Sequence, residues 1–364
     1  MSLGIRSIRA ERIERVVVRG TNWVGDAVMT VPALRELRRV LPGAHITLAT
    51  RPWAEGLFAD ADFLDDLLIY ERRPRRLGDV ARQVREWRAR RFDLALLFQN
   101  AFEAAFIAAA ARVPLRVGYA TDGRRALLTH PLPLPHWRSE RHEVFYYLNL
   151  VGELECALHG ASPVEEREPR FDLTVSEGRK AEARATLAAQ GVSLMRPLVA
   201  LCPGSTNSRA KRWPAERYGA LADRLVRETG AEVLLVGSAD ELEVSREVEA
   251  RMSERAHVLT GRTNLAQAVA VLSLVDLLVT NDTGPAHIAS ALGRPTLVIF
   301  GPTDPRTTRP FAASAEIIRR PPDCAPCMLR DCPIDHRCMT AISPGEVFER
   351  ATAVMRSNAT GVYR

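Results

Sequence analysis

The chain is poor in lysine. Of its 50 basic residues only Lys180 and Lys211 are lysine, and all the others are arginine. Genome nucleotide composition accounts for such a bias, yet a lysine kept at position 211 stands out against it. Aromatic residues make up only 6% of the sequence, and no RNA- or DNA-binding module is readable, so nucleic acid is not an expected partner. No uninterrupted apolar run reaches membrane-spanning length. The segment from Met1 to Arg15 is charged and lacks the apolar core of a signal peptide, so a cytoplasmic location is expected. There is no G-x-x-x-x-G-K-[ST], which argues against a P-loop ATPase. The loop Gly20 to Asp26 lacks G-x-G-x-x-G, which argues against a nicotinamide enzyme.

What is present is an α/β rhythm. At 364 residues and 46% hydrophobic content, two domains with full cores are expected. Apolar runs at Arg15–Arg19, His45–Ala49, Asp66–Tyr70 and Asp93–Phe98 read as strands, with helical segments between them. A helix from about Asp26 to Val40 carries Val28, Val31, Leu34 and Leu37 on one face, with Pro32 near its start. The stretch Ala161–Pro169 is polar and proline-bounded, a plausible linker. The rhythm then restarts with strands at Leu198–Leu201, Val233–Val236, Asp276–Val279 and Thr296–Phe300. Strands alternating with helices argue for parallel sheets covered on both faces.

Three polar loops of the second half follow strands, at 203–213, 237–241 and 280–287. Loops after parallel strands share one edge of the sheet, where ligands bind. Together they offer Ser205, Thr206, Asn207, Lys211, Glu241, Asp282, Thr283 and His287. Lysine, hydroxyls and a helix N-terminus after Thr283 suit a diphosphate, Gly284 allows close backbone approach, and a carboxylate such as Glu241 suits a ribose diol. A well-capped helix start, with Asp282 or Thr283 as cap, explains the last loop equally well on its own.

In the first half, the loop after the first strand ends in Asp26. A carboxylate at that edge could be a general base or a helix cap. A nearby helix N-terminus would keep it ionised and make it a weak base. Arginines cluster at Arg72-Arg73-Pro74-Arg75-Arg76, at Arg82, Arg85, Arg88, Arg90 and Arg91, and at Arg124-Arg125. A net charge of +6 suits an anionic partner, although a solvated helix face accounts for the 82–91 group. Four of the six cysteines, Cys324, Cys327, Cys332 and Cys338, crowd together near His336. They could hold structural zinc, but their spacing is irregular, and reduced thiols in a proline-ordered loop are the preferred reading. Cys156 and Cys202 are isolated and expected to pack as small apolar residues.

The motifs Asn22-Trp23-Val24-Gly25-Asp26-Ala27-Val28-Met29, Pro203-Gly204 through Lys211-Arg212-Trp213-Pro214, and Asn281-Asp282-Thr283-Gly284 with His287 resemble the ADP-heptose:lipopolysaccharide heptosyltransferases. The Asn-Trp-Val-Gly-Asp form, with Gln99-Asn100-Ala101-Phe102, Gly118-Tyr119 and Arg124-Arg125, is similar to the heptosyltransferase II branch. The resemblance implies a GT-B fold of two Rossmann-like domains facing across a cleft. The N-terminal domain, 1–165, would bind the acceptor, and the C-terminal domain, 166–364, would bind ADP-heptose, with a last helix at about 344–356 crossing back onto the first. It implies Asp26 as general base, and Thr206, Asn207 and Lys211 on the diphosphate, although Asn207 replaces the hydroxyl expected in some relatives. It implies Glu241 on the ribose or adenosine, and Asp282, Thr283, Gly284 and His287 on sugar and phosphate. Asn22, Trp23, Arg124 and Arg125 would meet a phosphorylated lipid A-core acceptor. The arginine clusters suit the anionic face of the inner membrane, as peripheral contacts. No cofactor or metal is required in this reading.

Two other classes compete. A different glycosyltransferase or a sugar-nucleotide epimerase on the same fold would differ around Asp26 and the arginines. A non-catalytic nucleotide-sugar-binding protein would bind ADP without turnover.

Overall fold

The computed structural model describes residues 13–71 and 77–359. The chain divides into two compact units after Phe171. The polar stretch before that point is tied to the first unit. Arg167 pairs with Glu36, Arg141 with Glu165, and the Ser162 hydroxyl donates to Glu155 at 2.6 Å.

The first unit alternates β1 (Arg15–Arg19), α1 (Val24–Met29), α2 (Val31–Val40), β2 (His45–Thr50), α3 (Glu55–Phe58), β3 (Asp66–Ile69), α4 (Leu77–Arg90), β4 (Leu94–Leu97), α5 (Phe102–Ala110), β5 (Leu115–Tyr119), β6 (His130–Leu132) and α6 (Glu143–His159). Its six strands are parallel, in the order β3-β2-β1-β4-β5-β6. Val16, Val17 and Val18 of β1 are fully buried, as a strand covered on both faces requires. The single helix expected from Asp26 to Val40 is two helices. Thr30 ends α1 and starts α2, its hydroxyl donates to the Ala27 carbonyl at 2.6 Å, and Pro32 sits in the first turn of α2, where its missing N–H does no harm.

The second unit runs α7 (Glu177–Ala189), β7 (Leu198–Cys202), α8 (Ala215–Thr229), β8 (Glu232–Leu235), α9 (Leu242–Glu249), β9 (His257–Val258), α10 (Leu265–Leu272), β10 (Leu277–Asn281), α11 (Gly284–Ala291), β11 (Thr296–Phe300), α12 (Pro305–Thr308), β12 (Ala315–Arg319), α13 (Arg337–Thr340) and α14 (Pro344–Ala359). Its parallel sheet has the order β12-β11-β10-β7-β8-β9. The Ser343 hydroxyl accepts from the Glu346 N–H at 3.1 Å at the start of α14. That helix buries Val347, Phe348 and Ala351 in one cluster with Trp213, Leu221 and Leu225, so its apolar face is seated within the second unit.

Each sheet reverses its strand order once. In the first unit the reversal lies between β1 and β4, and in the second between β7 and β10. In open α/β sheets a ligand crevice forms beyond the carboxyl ends of the strands at such a point. The topology therefore selects the loops after β1 and β4, and those after β7 and β10. No helix among the described residues is long and apolar enough to cross a membrane.

Candidate functional site

In the first unit the chain leaves β1 through Thr21 and Asn22 and enters α1. The residue before the helix is Trp23, whose side chain makes no capping bond, and Asp26 stands one turn in. Asp26 is thus not the cap, although its charge complements the helix N-terminus. It lines a cavity of about 160 Å³. Thr21, Asn22 and Trp23 share that cavity, together with Phe98, Gln99 and Asn100 from the end of β4, and Arg138, Glu143, Tyr146 and Tyr147. The Thr21 hydroxyl is buried there with no hydrogen-bond partner among the described residues. Asn22 is half-buried, and Trp23 is 58% exposed, which leaves most of its ring open to a ligand.

The cavity wall is cross-braced. Arg138 grips the Glu143 carboxylate with both terminal nitrogens, Nη2 at 2.8 Å from Oε1, and lies over the Tyr146 ring at 4.0 Å. The Asn100 amide donates to the Tyr146 hydroxyl at 2.7 Å, and Tyr119 stacks on Tyr146 at 4.3 Å. Burial pushes the Glu143 carboxyl upward while Arg138 and Tyr147 oppose it. Burial, then the charge of Asp26, holds the Tyr147 hydroxyl well above its ordinary range.

Arg124 departs from expectation. Read as an anion-binding fork, it is instead fully buried. Its Nε donates to the Tyr119 carbonyl at 2.8 Å, Nη2 to Asn100 Oδ1 at 2.8 Å, and Nη1 to the Gln99 carbonyl. Desolvation lowers its guanidinium to about 10. The physical reason is that the Gln99-Asn100 turn leaves carbonyls pointing inward, and a buried guanidinium satisfies several at once. Arg124 shapes the cavity from behind, whereas Arg125 is exposed. The 82–91 arginines are largely engaged as a structured helix face. Arg82 pairs with Asp79, Arg90 with Asp66 and Glu86, and Arg88 donates to the Ala110 carbonyl at 2.7 Å. The Arg72–Arg76 cluster lies outside the described residues.

In the second unit the three loops converge. The buried Asn281, at the end of β10, donates to the carbonyls of Pro203 at 2.8 Å and Gly204 at 3.1 Å, and accepts from the Trp213 N–H at 3.0 Å. It thereby locks the 203–213 loop to the start of α11. Lys211 Nζ sits 2.7 Å from Asp282 Oδ2, which also accepts from the Thr303 hydroxyl at 2.7 Å. Asp282 is 5% exposed, so its carboxylate anchors the lysine more than it faces a ligand. Ser205 is buried, and its carbonyl takes Arg212 Nη2 at 3.0 Å, while Thr206 and Asn207 are exposed. Thr283 precedes α11 without a side-chain cap bond, which leaves the capping role unfilled by either Asp282 or Thr283. Gly284 is half-buried at the first turn, and His287 is 4% exposed.

The buried Glu241 closes the third side. Its Oε2 accepts from the Ser238 N–H at 2.8 Å and hydroxyl at 2.9 Å. A Cβ on Gly204 would lie 2.4 Å from the Glu241 carboxyl carbon and Oε1, so only glycine lets that carboxylate reach the loop.

The cysteine-rich loop braces the same region. His336 Nε2 is 2.6 Å from the Ala210 carbonyl, the Ala210 N–H donates to the Arg330 carbonyl at 2.9 Å, and Arg209 pairs with Asp331 at 2.6 Å. All six cysteines are unbonded, and no three His, Cys, Asp or Glu side chains among the described residues are placed to hold a metal ion. Cys202 is buried, and burial pushes its thiol up to about 12. Cys156, expected to pack inside, is exposed, because it falls on the outer side of α6.

Sequence reasoning missed Arg138, Glu143, Tyr146 and Tyr147. Their signal was the i, i+3, i+4 spacing of Glu143, Tyr146 and Tyr147, which puts them on one helix face. Nothing in the sequence says that this face turns toward Asp26.

The profile of glycosyltransferase family 9 (heptosyltransferase) matches residues 80–337. The chain is 31% identical over 320 residues to lipopolysaccharide heptosyltransferase 2 of Salmonella typhimurium, covering 84% of this chain and 88% of that protein. The Escherichia coli protein of the same name is matched at the same identity and coverage. The solved structure of E. coli ADP-heptose lps heptosyltransferase II superposes with a TM-score of 0.81 at 27% identity, over 95% of this chain and 99% of that one. The two parallel Rossmann-like units, the matched profile and these relatives together show that the chain belongs to glycosyltransferase family 9, the heptosyltransferases, with the GT-B type of fold.

Proposed function

We propose that the chain is an inverting heptosyltransferase that moves heptose from ADP-L-glycero-D-manno-heptose to a heptose of the lipopolysaccharide inner core. The observation that carries this reading is the cavity beside Asp26, in which a carboxylate, an unpartnered hydroxyl and an exposed indole share one wall. Sugar rings offer hydroxyls and an apolar face, and such a wall suits both. The relatives' names supply ADP-heptose and lipopolysaccharide as the substrates of this reading.

In this reading Asp26 takes the proton of the acceptor hydroxyl as that oxygen bonds to the anomeric carbon. The bond from that carbon to the ADP phosphate breaks, and ADP leaves with the electron pair. Attack opposite the leaving group inverts the centre. Lys211, the exposed Thr206 and Asn207, and the N-terminus of α11 after Thr283 stabilise the charge that develops on ADP. Glu241 meets the ribose or adenosine from behind Gly204, and Gly284, lacking a side chain, allows close approach of the phosphates. His287, buried on α11, contributes to sugar and phosphate recognition from within that helix. Exposed Arg125, with Asn22 and Trp23, meets the anionic lipid A-core acceptor, and the protein works at the cytoplasmic face of the inner membrane as a peripheral enzyme.

The test is Asp26→Asn. Transfer falls about a hundredfold to ten-thousandfold, the range for loss of a general base, while ADP-heptose binding stays intact. Near-normal transfer by this variant would remove the base assignment.

A further inference from the structure

The first-unit cavity holds a second carboxylate that the reaction as proposed does not use. Glu143 opens α6, lines the same cavity as Asp26, and its side chain is only 12% exposed. Arg138 grips both of its oxygens, and the Tyr147 hydroxyl is within hydrogen-bonding reach of it. Tyr147 lines the same cavity and lies in the field of both carboxylates. The pair sits at the cavity wall, with the Arg138 side chain 38% and the Glu143 side chain 12% exposed.

A chemical difficulty gives it a use. Asp26 sits in the first turn of α1, where the helix dipole favours the ionised form and weakens it as a base. A second negative charge nearby works the other way. We propose that Glu143 is a positioning residue for transfer: its carboxylate, held by Arg138 in the cavity it shares with Asp26, raises the basicity of Asp26, and Arg138 limits the rise. The proposal rests on the reading of Asp26 as the base. The raised Tyr147 hydroxyl fits it, since that group remains a neutral donor while both carboxylates are charged.

The titratable and charged groups lining the cavity with Asp26 are Arg138, Glu143, Tyr146 and Tyr147. On the adjoining helix α2, Arg35 pairs with Asp62, Arg38 with Asp65, and Arg39 with Glu36 and Glu155. His142 is buried at the start of α6, where its ring accepts from the Val144 N–H at 3.2 Å.

The experiment is the pH profile of kcat/KM for a heptose-terminated acceptor, in wild type, Asp26→Asn, Glu143→Gln, Glu143→Asp and Arg138→Gln. Removing the Glu143 charge moves the acidic limb to lower pH by about one unit and lowers kcat roughly tenfold, with acceptor KM changed far less. Removing Arg138 moves the limb to higher pH, because the two carboxylates then share a proton more tightly. Glu143→Asp returns the limb to its wild-type position. Opposite shifts support the proposal, and a merely structural pair would move KM and stability without splitting the limbs. If Glu143→Gln fails to fold, the upward shift in Arg138→Gln decides. Unmoved limbs, or limbs moving the same way, overturn the proposal and leave Asp26 as base, provided Asp26→Asn is inactive. An active Asp26→Asn overturns the base assignment and this proposal with it.

Discussion

In the first unit the crevice at the strand reversal stays open, and Asp26, Glu143 and Arg138 face a shared space walled by Phe98, Tyr146 and Tyr147. In the second unit the equivalent loops bond to one another, Lys211 to Asp282 and Asn281 to Pro203 and Gly204, while Glu241 folds back onto Ser238 of its own loop. The same topology thus produces two kinds of site. One lines a cavity with two carboxylates, the groups that the proposed proton chemistry uses. The other ties its polar side chains to one another and holds one lysine beside the start of α11, an arrangement suited to a phosphate chain. Reactive groups need adjustable surroundings, and a handle on ADP needs rigid ones.

The largest effect that would sharpen this contrast is expected at Lys211. On the proposed function, Lys211→Met removes the positive charge that stabilises departing ADP, and kcat falls about a hundredfold to a thousandfold, judged by losses of comparable oxyanion donors. Steady-state kinetics with the acceptor varied should show its KM unchanged, and a raised acceptor KM would break the division of labour. Gly204→Ala comes next. Its Cβ would overlap the Glu241 carboxylate at 2.4 Å, so the loop shifts at a cost of about 1–3 kcal/mol. Denaturant unfolding reads the stability loss, and ADP-heptose KM rises in parallel.

The two neighbouring arginines give the smaller effects, and they are expected to separate. Arg124→Met strands the carbonyls of Tyr119 and Gln99, costs about 1–3 kcal/mol of stability and distorts the acceptor cavity, with little dependence on salt. Arg125→Glu leaves stability within about 0.5 kcal/mol. It raises acceptor KM a few-fold, an effect that added salt reduces because the group is exposed. If both variants gave the same salt-sensitive KM change, the inward orientation of Arg124 would not govern its role.

The central strands β1, β2, β4, β7, β10 and β11 were legible because burial on both faces makes them continuous apolar runs. Of the edge strands, β3 was read at Asp66–Tyr70, but β6, β9 and β12 were not. β6 is His130–Leu132, β9 is His257–Val258, and β12 carries Glu316 and Arg319, so each is short or half-polar. The convergence of the loops holding Lys211, Glu241 and Asp282 was readable, since loops after parallel strands share an edge. What each side chain does there was not readable. Asp282 faces Lys211 and Thr303, and Arg124 faces inward, because carbonyl orientation and burial are set by packing that no local pattern encodes. Glu143 was missed for the same reason: α6 meets α1 only in the folded chain, over a hundred residues from Asp26 in sequence.

The most direct test of the account is transfer itself. The purified protein is incubated with ADP-heptose and a heptose-terminated inner-core acceptor, ADP release is followed, and the anomeric configuration of the product is read by NMR. The expected result is ADP release that depends on the acceptor, with inversion at the transferred heptose. No release with any core acceptor, or retention of configuration, would contradict it.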